Sequence, residues 1–431
     1  MGISSLQEVK NRMSKFTKRG VFLPSLKEPA ASRPIVDMPI PAQVFVPLTA
    51  GDGTPCRPAV GTYETVMKGE PLGLTDGEGA PAVFAPVTGV LSDLREMTHP
   101  LLGDVTCAVL DCMAGGNAEP RSRDTAAMTP EEIRDAARRA GIVDELDGAP
   151  LADKLESFVD TDPYLLGADG TEQEPYSSSA WAVLGESAGL VSEGLGLAAR
   201  AAGAIGCHIA IRQTGKQRRA LAQRAPGRLI CSVRRKYPAE PAPRSAVLPV
   251  RAIGVQACMA LYRACAFGEP QCDCVVTVAG DAVANPQNVR VPAGATVEQL
   301  LRFCGLAADP SYVILGDAMT GLTIPQTDIS IVPGVACVLA LTARPQPRTR
   351  ACIGCGRCVR ACHADLLPYE IMRRLDNMQY ERLASLLPEE CDGCGACSHV
   401  CPAGLDVTAK VLEARDAHGN IFLNWGDGDD L

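Results

Sequence analysis

Residues 352–362 read CIGCGRCVRAC, and residues 391–401 read CDGCGACSHVC. Each run therefore has the spacing C-x2-C-x2-C-x3-C. Three thiolates at this spacing can surround one iron-sulfur cluster from a single tight turn, while the fourth points away from it. Zinc sites generally use two separate C-x2-C pairs instead. The pattern predicts two [4Fe-4S] clusters and a protein that transfers electrons.

The fourth cysteine of each run is expected to bind the cluster that is held by the first three cysteines of the other run. In two-cluster ferredoxins this cysteine binds the other cluster. We expect the first cluster on Cys352, Cys355, Cys358 and Cys401, and the second on Cys391, Cys394, Cys397 and Cys362. Pro402 follows the second run as in ferredoxins, whereas His363 stands at the matching position of the first run. We expect this change to alter the polarity around one cluster without removing a ligand.

Composition limits the class of protein. A length of 431 residues suggests about three domains. The 19 cysteines do not indicate a secreted disulfide scaffold, because the best-spaced ones are reduced cluster ligands. There is no run of about 18 apolar residues and no apolar signal segment. We expect a cytoplasmic protein.

The net charge of −9 argues against nucleic acid as a partner. A basic segment nevertheless occurs near the N-terminus, with Met13 and Phe16 interleaved. Its charged members are Lys10, Arg12, Lys15, Lys18 and Arg19. The segment is typical of contact with a membrane surface or a partner subunit. A merely solvated N-terminus explains it equally well.

The order of predicted elements indicates several domains. Residues 36–115 contain short apolar stretches punctuated by Gly and Pro, including Val83–Leu91, in the manner of the barrel-sandwich fold of lipoyl and biotinyl domains. Thr129 caps a helix that reaches about Ala140, and an α/β alternation with a mainly parallel sheet follows. From Cys274 onward, two strands, a helix at Val297–Cys304 and a strand at Val335–Leu341 suggest a β-grasp layout.

Two segments flank the cysteine runs. Residues 344–348 are a Pro-rich linker. After the second run we expect a short helix at Val407–Arg415 and an acidic tail at residues 427–430.

Over nearly its whole length the chain resembles the C subunit of the Rnf electron transport complex. The matching pieces, besides the cysteine runs, are Phe22–Lys27, Pro34–Ile35, Pro39–Leu48, Ala85–Gly89, Arg138–Val143, Glu172–Tyr176, Lys236–Pro238, Gly254–Gln256, Val276–Gly280 and Gly316–Gly321. The resemblance implies a barrel-sandwich hybrid, an α/β domain like the flavoprotein of complex I that binds FMN and NADH, a β-grasp (SLBB) domain and a helical ferredoxin domain. The expected bounds are 1–35 for the basic lead-in, 36–120 for the barrel-sandwich hybrid and 125–268 for the α/β domain. They are 269–343 for the SLBB domain, 348–411 for the ferredoxin domain and 412–431 for the tail.

The flavin site departs from the family pattern. Asp144, Glu145 and Asp147 stand in a loop that family members make glycine-rich. Each adds a Cβ and a negative charge where a phosphate would approach. The resemblance carries over Lys154, Glu172 and Glu174 as cofactor-binding residues. The sequence leaves two interpretations of the α/β domain. It either binds FMN tightly or is a flavin-type fold retained only for its shape.

Two functions follow from these expectations. The first is an Rnf C-like subunit, an NADH-linked oxidoreductase subunit, that passes electrons between a nicotinamide or flavin donor and a ferredoxin or partner subunit. It would be peripheral on the inner face of the cell membrane. The alternative is a flavin-less relay for a partner reductase, similar to the accessory protein of proline reductase or to cobalamin reductase. Flavin content discriminates between them.

Overall fold

The computed structural model describes residues 19–75, 81–115, 122–159, 162–233, 236–243, 246–343 and 349–425. The chain divides into two compact units. The larger unit comprises Ser25–Val233 and Glu240–Ala343; the smaller unit comprises Met1–Pro24, Arg234–Ala239 and Arg344–Leu431. Within the described ranges, no helix is both long enough and apolar enough to cross a membrane.

Three expectations fall outside the described residues. They concern the basic positions 10–18, the linker at 344–348 and the acidic tail at 427–430.

The first part of the larger unit is β-rich. Its elements are α1 (Glu28–Ala31), β1 (Val36–Asp37), β2 (Gln43–Pro47), β3 (Arg57–Pro58), β4 (Thr65–Val66), β5 (Pro71–Leu74), β6 (Pro81–Phe84), β7 (Gly89–His99) and β8 (Gly103–Cys112). One sheet has the order β2-β8-β7-β4 and another the order β3-β5-β6. The apolar stretch at 83–91 is divided between β6 and β7, because Pro86 has no N–H to continue a ladder.

An α/β layer follows. Its elements are α2 (Pro130–Arg139), α3 (Leu151–Glu156), β9 (Leu165–Gly170), α4 (Ser179–Ala201), β10 (Gly206–Ile211), α5 (Gly215–Arg224), β11 (Leu229–Ser232), β12 (Val250–Gly254) and α6 (Val255–Phe267). The strands pair in parallel in the order β11-β10-β9-β12. The predicted mainly parallel sheet is confirmed.

Local sequence explains where α2 begins. The Thr129 hydroxyl accepts the Glu132 N–H at 3.3 Å, and the Glu132 carboxylate accepts the Thr129 N–H at 2.7 Å. Pro130 occupies the first helical turn, where its missing N–H has no cost. The predicted threonine cap is confirmed.

Helices α4 and α6 pack in direct backbone contact. A Cβ at Gly194 of α4 would lie 1.8 Å from the carbonyl oxygen of Cys258 in α6. Only glycine permits this approach. It fixes α6, and hence its N-terminus, against the rest of the layer.

The last part of the larger unit is a mixed sheet. Its elements are β13 (Asp273–Ala279), β14 (Gln287–Pro292), α7 (Val297–Cys304), β15 (Tyr312–Leu315), β16 (Leu322–Ile324) and β17 (Cys337–Leu341). The strand order is β1-β14-β13-β17-β15-β16, so β1 from the lead-in joins this sheet. The helix predicted at Val297–Cys304 is confirmed.

The smaller unit is helical. Its elements are α8 (Arg357–Ala361), α9 (Pro368–Asp376), α10 (Ala396–His399) and α11 (Val407–Trp425). Ile371, Leu383 and Val411 form its core together with several of the cysteines. The prediction that the last helix ends at Arg415 was wrong: α11 extends to Trp425, and no proline after Pro402 removes a backbone donor that would stop it.

Candidate iron-sulfur centres and the crevice of the parallel sheet

Four cysteines line one cavity in the smaller unit. Its cysteines are Cys352, Cys355, Cys358 and Cys401. Arg357 and mostly apolar or aromatic side chains, including Tyr369, Met372 and Val407, complete the lining.

The other four cysteines line a second cavity. They are Cys362, Cys391, Cys394 and Cys397. Each cavity thus combines three cysteines of one run with the fourth cysteine of the other. Four convergent thiols are the donor set that a [4Fe-4S] cluster requires. The residues present fit two such clusters.

Two glycines set the turns of the runs. Gly356 has φ 67° and Gly395 has φ 74°, and each precedes a one-turn helix, α8 or α10. Left-handed backbone at these matching positions favours glycine. The chain can then reverse between the second and third cysteines of each run.

Polar groups surround the second cavity. The Thr408 hydroxyl lies 3.1 Å from Cys397 Sγ and accepts a hydrogen bond from the Ser398 hydroxyl at 2.8 Å. In the arrangement in which Ser398 donates to Thr408, the Thr408 hydrogen can point at the sulfur. His363, at the position where a proline was expected, bonds through Nε2 to Asp392 at 2.7 Å. Tyr237 Oη donates to the Cys394 carbonyl at 2.7 Å.

The parallel sheet of the larger unit has a crevice between β9 and β12. Strands β10 and β11 lie on one side of β9, and β12 lies on the other, so the chain order reverses here. Open α/β sheets bind ligands at such a point, beyond the carboxyl ends of the strands. Helix α6 begins directly after β12, which places its N-terminal amides in this crevice.

The crevice is filled by the chain's own carboxylates. Glu145 accepts the Gln256 N–H at 2.6 Å and the Ala257 N–H at 3.0 Å, one with each oxygen. Asp144 accepts the Gly254 N–H at 2.9 Å. Glu145 thus occupies the anion-binding N-terminus of α6, with Asp144 beside it.

Lys154 is engaged by the same loop. Its ammonium lies 2.6 Å from a carboxylate oxygen of Asp144 and 2.6 Å from one of Asp147. Burial raises the pKa of Asp144, and Lys154 opposes this rise. Burial and the neighbouring Asp144 raise the pKa of Glu145 to about 8, against the opposing effect of the amides it accepts from.

The two acids of the Glu172–Tyr176 segment also bond to the protein itself. Glu172 accepts the N–H groups of Ala180 and Trp181 at 2.8 and 3.2 Å, at the start of α4. Glu174 accepts the Met319 N–H at 2.5 Å and the Thr320 hydroxyl at 2.8 Å. The N-termini of α4 and α6 are therefore both capped by carboxylates.

FMN does not fit these residues. Its phosphate would need unsatisfied N–H donors or a free cation at the crevice. The described donors at the start of α6 are already bonded to Glu145 and Asp144, and Lys154 is paired with two carboxylates. A phosphate would have to displace the Glu145 and Asp144 side chains from these amides.

Comparison with known proteins agrees with the cluster geometry. Three family models match: the RnfC barrel sandwich hybrid domain at residues 15–113, the SLBB domain at 275–323 and the 4Fe-4S dicluster domain at 351–405. The chain is similar to RnfC proteins over most of its length.

Several relatives align over most of the RnfC-like chain. The C subunit of the ion-translocating oxidoreductase complex of Rhodobacter capsulatus is 29% identical over 406 residues, covering 87% of this chain and 78% of the relative. The C subunit of the proton-translocating ferredoxin:NAD(+) oxidoreductase complex of Clostridium ljungdahlii is 27% identical, covering 83% of each chain. The chain spans only 49% of the corresponding Pseudomonas aeruginosa protein, to which it is 28% identical.

Among solved structures, an NAD+-reducing [NiFe]-hydrogenase in the H2-reduced state matches with a TM-score of 0.44 and 17% identity. The match covers 69% of the RnfC-like chain and 62% of that chain.

Several contacts in this RnfC-like chain were not expected from its sequence. Asp144 and Glu145 were interpreted only as obstacles to phosphate, whereas they bond to amides more than 100 positions away. The family pattern did not indicate the roles of Thr408 and Tyr237 beside the second cavity. A polar residue at the start of a helix after a cluster run was the available signal for Thr408.

Proposed function

We propose that this chain is an electron relay that carries two [4Fe-4S] clusters. The first cluster has Cys352, Cys355, Cys358 and Cys401 as ligands, and the second has Cys362, Cys391, Cys394 and Cys397. The observation that carries this proposal is the grouping of eight cysteines around two cavities, four to each. When bound, the clusters supply one-electron chemistry. The chain's own residues hold them and set the polarity around them.

We further propose that the relay has no flavin of its own. The supporting observation is the Glu145 carboxylate on the Gln256 and Ala257 amides. The pairing of Lys154 with Asp144 and Asp147 supports the same conclusion. The assignment of Lys154, Glu172 and Glu174 to a nucleotide site stays a prediction, and their contacts favour a structural role.

The remaining architecture is proposed on the resemblance. The α/β layer corresponds to a complex-I-flavoprotein-like domain at 125–268, used here as a scaffold. The mixed sheet corresponds to a β-grasp domain at 269–343, in line with its strand, strand, helix and strand order. The barrel at 36–120 and the cluster domain at 348–411 complete the series.

The partners are proposed to be other redox subunits or a ferredoxin. The relatives are subunits of multi-subunit complexes, and one complex is named as a ferredoxin:NAD(+) oxidoreductase. We therefore place this chain at the inner face of the cell membrane as a peripheral subunit that receives electrons from a partner.

Anaerobic purification with analysis of iron, sulfide and acid-released flavin tests the proposal. Two four-iron clusters require about eight irons per chain. We expect that value and no flavin. Iron near zero would overturn the relay, while eight irons with one FMN would overturn only its flavin-less form.

A further inference from the structure

The sequence segments that contain the two cysteine runs differ in charge. Residues 349–364 contain three arginines and no Asp or Glu. Residues 383–409 contain four carboxylates and no Lys or Arg. The arginines are Arg350, Arg357 and Arg360, and the carboxylates are Glu389, Glu390, Asp392 and Asp406. Such an asymmetry distinguishes one cluster from the other for any charged partner.

The first cluster site is also the more exposed. Cys352 and Cys355 are exposed, as are all three arginines, and Ile353 between these cysteines is 69% exposed. In the second set every cysteine is half-buried or buried. A partner can therefore approach the first set of sulfurs more closely than the second.

A shallow groove continues this surface. It is about 570 Å³ in volume and open to solvent. Arg357, Arg360 and His399 line it beside Cys401, a member of the first set. No carboxylate is among its lining residues within the described chain. The groove thus extends the positive surface from the exposed cysteines to the fourth one.

We propose that Arg350, Arg357 and Arg360, with the groove beside Cys401, form the docking surface for an acidic electron-transfer protein. The proposal rests on the proposed function and adds which cluster exchanges electrons with the partner. Positive side chains around an exposed redox centre attract and orient a negative partner. A partner with its own redox centre at an acidic surface then brings the two centres together. The electron leaves the reduced carrier and reduces the first cluster, and no bond is made or broken.

The second cluster site has a different neighbour. Tyr237, which bonds to the Cys394 carbonyl, belongs to a segment that follows β11 in the chain. Asp392 and His363 bond to each other over this site. Arg415 also contacts this site and donates to the Cys391 carbonyl at 3.3 Å. The three exposed arginines at the first site outweigh this single cation, which favours the first cluster as the entry point for an acidic carrier.

The test uses full-length protein with its clusters and a reduced two-[4Fe-4S] ferredoxin of net negative charge. Stopped-flow absorbance gives the second-order rate of cluster reduction. We expect R350Q/R357Q to lower the rate at low salt about tenfold, and added salt to lower the wild-type rate by a similar factor. R350K/R357K should keep the wild-type rate. R382Q, an exposed arginine that lines neither cavity, is the control and should change the rate less than about twofold.

Iron content and reduction by dithionite distinguish a failure of the proposed function from a failure of the proposed docking surface. Wild-type protein that lacks iron would overturn the proposed function. Iron-replete protein whose rate ignores both salt and the double substitution would overturn the docking surface alone. If R350Q/R357Q loses iron, the salt dependence of the wild-type rate still decides, because a rate that does not fall with salt contradicts the proposal.

Discussion

Gly254 leaves the space that the Glu145 carboxylate occupies. A Cβ at Gly254 would lie 2.1 Å from Glu145 Cδ, closer than any two such atoms can approach. The acidic loop and the strand end that receives it are therefore matched to each other. The acidic loop is an integral part of the packing of the α/β layer.

Replacement of Gly254 by alanine tests this match. G254A should push Glu145 off the Gln256 and Ala257 amides and reduce the free energy of unfolding by about 1–3 kcal/mol, the range for a buried clash with loss of a capped helix. Urea unfolding measures the change. G185A is the control, since a Cβ at Gly185 meets nothing within 4 Å. That helical substitution should stabilise by roughly 0.5–1 kcal/mol.

Because Glu145 occupies the N-terminus of α6, we expect an added anion to restore stability to a variant that lacks this side chain. E145A should lose about 1–2 kcal/mol of stability, because buried N–H donors at the start of α6 are left unsatisfied. Inorganic phosphate should restore part of the melting temperature of E145A and leave wild type unchanged. The exposed Glu193 gives the control E193A, which should show neither effect. Phosphate that stabilises wild type as much as E145A would argue against a carboxylate at this anion site.

Asp317 predicts a pH effect on stability. Burial and the nearby Glu174 raise the pKa of Asp317 to about 7, and its Oδ1 has no hydrogen-bond partner among the described residues. Between about pH 4 and 7 the folded protein holds a proton that the unfolded chain has released. This group therefore contributes most stability below pH 4, and the contribution is lost as the pH rises to 7.

The D317N variant removes this titration. Its stability relative to wild type should rise from near zero at pH 4 to a gain on the order of 4 kcal/mol above pH 7, since the pKa of about 7 lies roughly three units above the usual 3.8 and each unit is about 1.4 kcal/mol. Urea unfolding across this pH range measures it. D309N, at an exposed position of the same unit, should give a flat difference. A flat difference for D317N as well would contradict the assignment.

Thr408 predicts a change at one cluster only. Its hydroxyl can donate to Cys397 Sγ, and such a bond stabilises the more negative, reduced cluster. T408V should lower the potential of the second cluster by about 40 mV, taking about 1 kcal/mol for the bond and about 59 mV per tenfold change in a one-electron step. An anaerobic redox titration followed by EPR measures both clusters. A shift of the first cluster, or of neither, would count against the ligand sets.

The sequence predicted local features better than distant contacts. The cysteine runs and the Thr129 cap are patterns within a few residues, so spacing and side-chain chemistry were sufficient. The contact of Glu145 with Gln256 joins positions 111 apart, and only the packing of the α/β layer brings them together. The negative charge of the loop is visible in the sequence, whereas the bonds from Glu145 to the start of α6 are not.

The barrel domain shows a second limit of structure prediction from sequence. Strands β7 and β8 are the longest in the described chain, at 11 and 10 residues. The expected strands of this domain stopped at Leu91. The half of β7 after Leu91 mixes charged and apolar residues, and it is largely solvent-facing. Pairing with β8 holds it in place, which composition alone does not reveal.

The response of the purified protein to NADH tests the central claim most directly. EPR and absorbance spectra are recorded anaerobically after addition of NADH, and again after addition of dithionite. The account predicts no cluster reduction by NADH and two reduced [4Fe-4S] signals with dithionite. Reduction of the clusters by NADH alone, together with bleaching of a bound flavin, would contradict it.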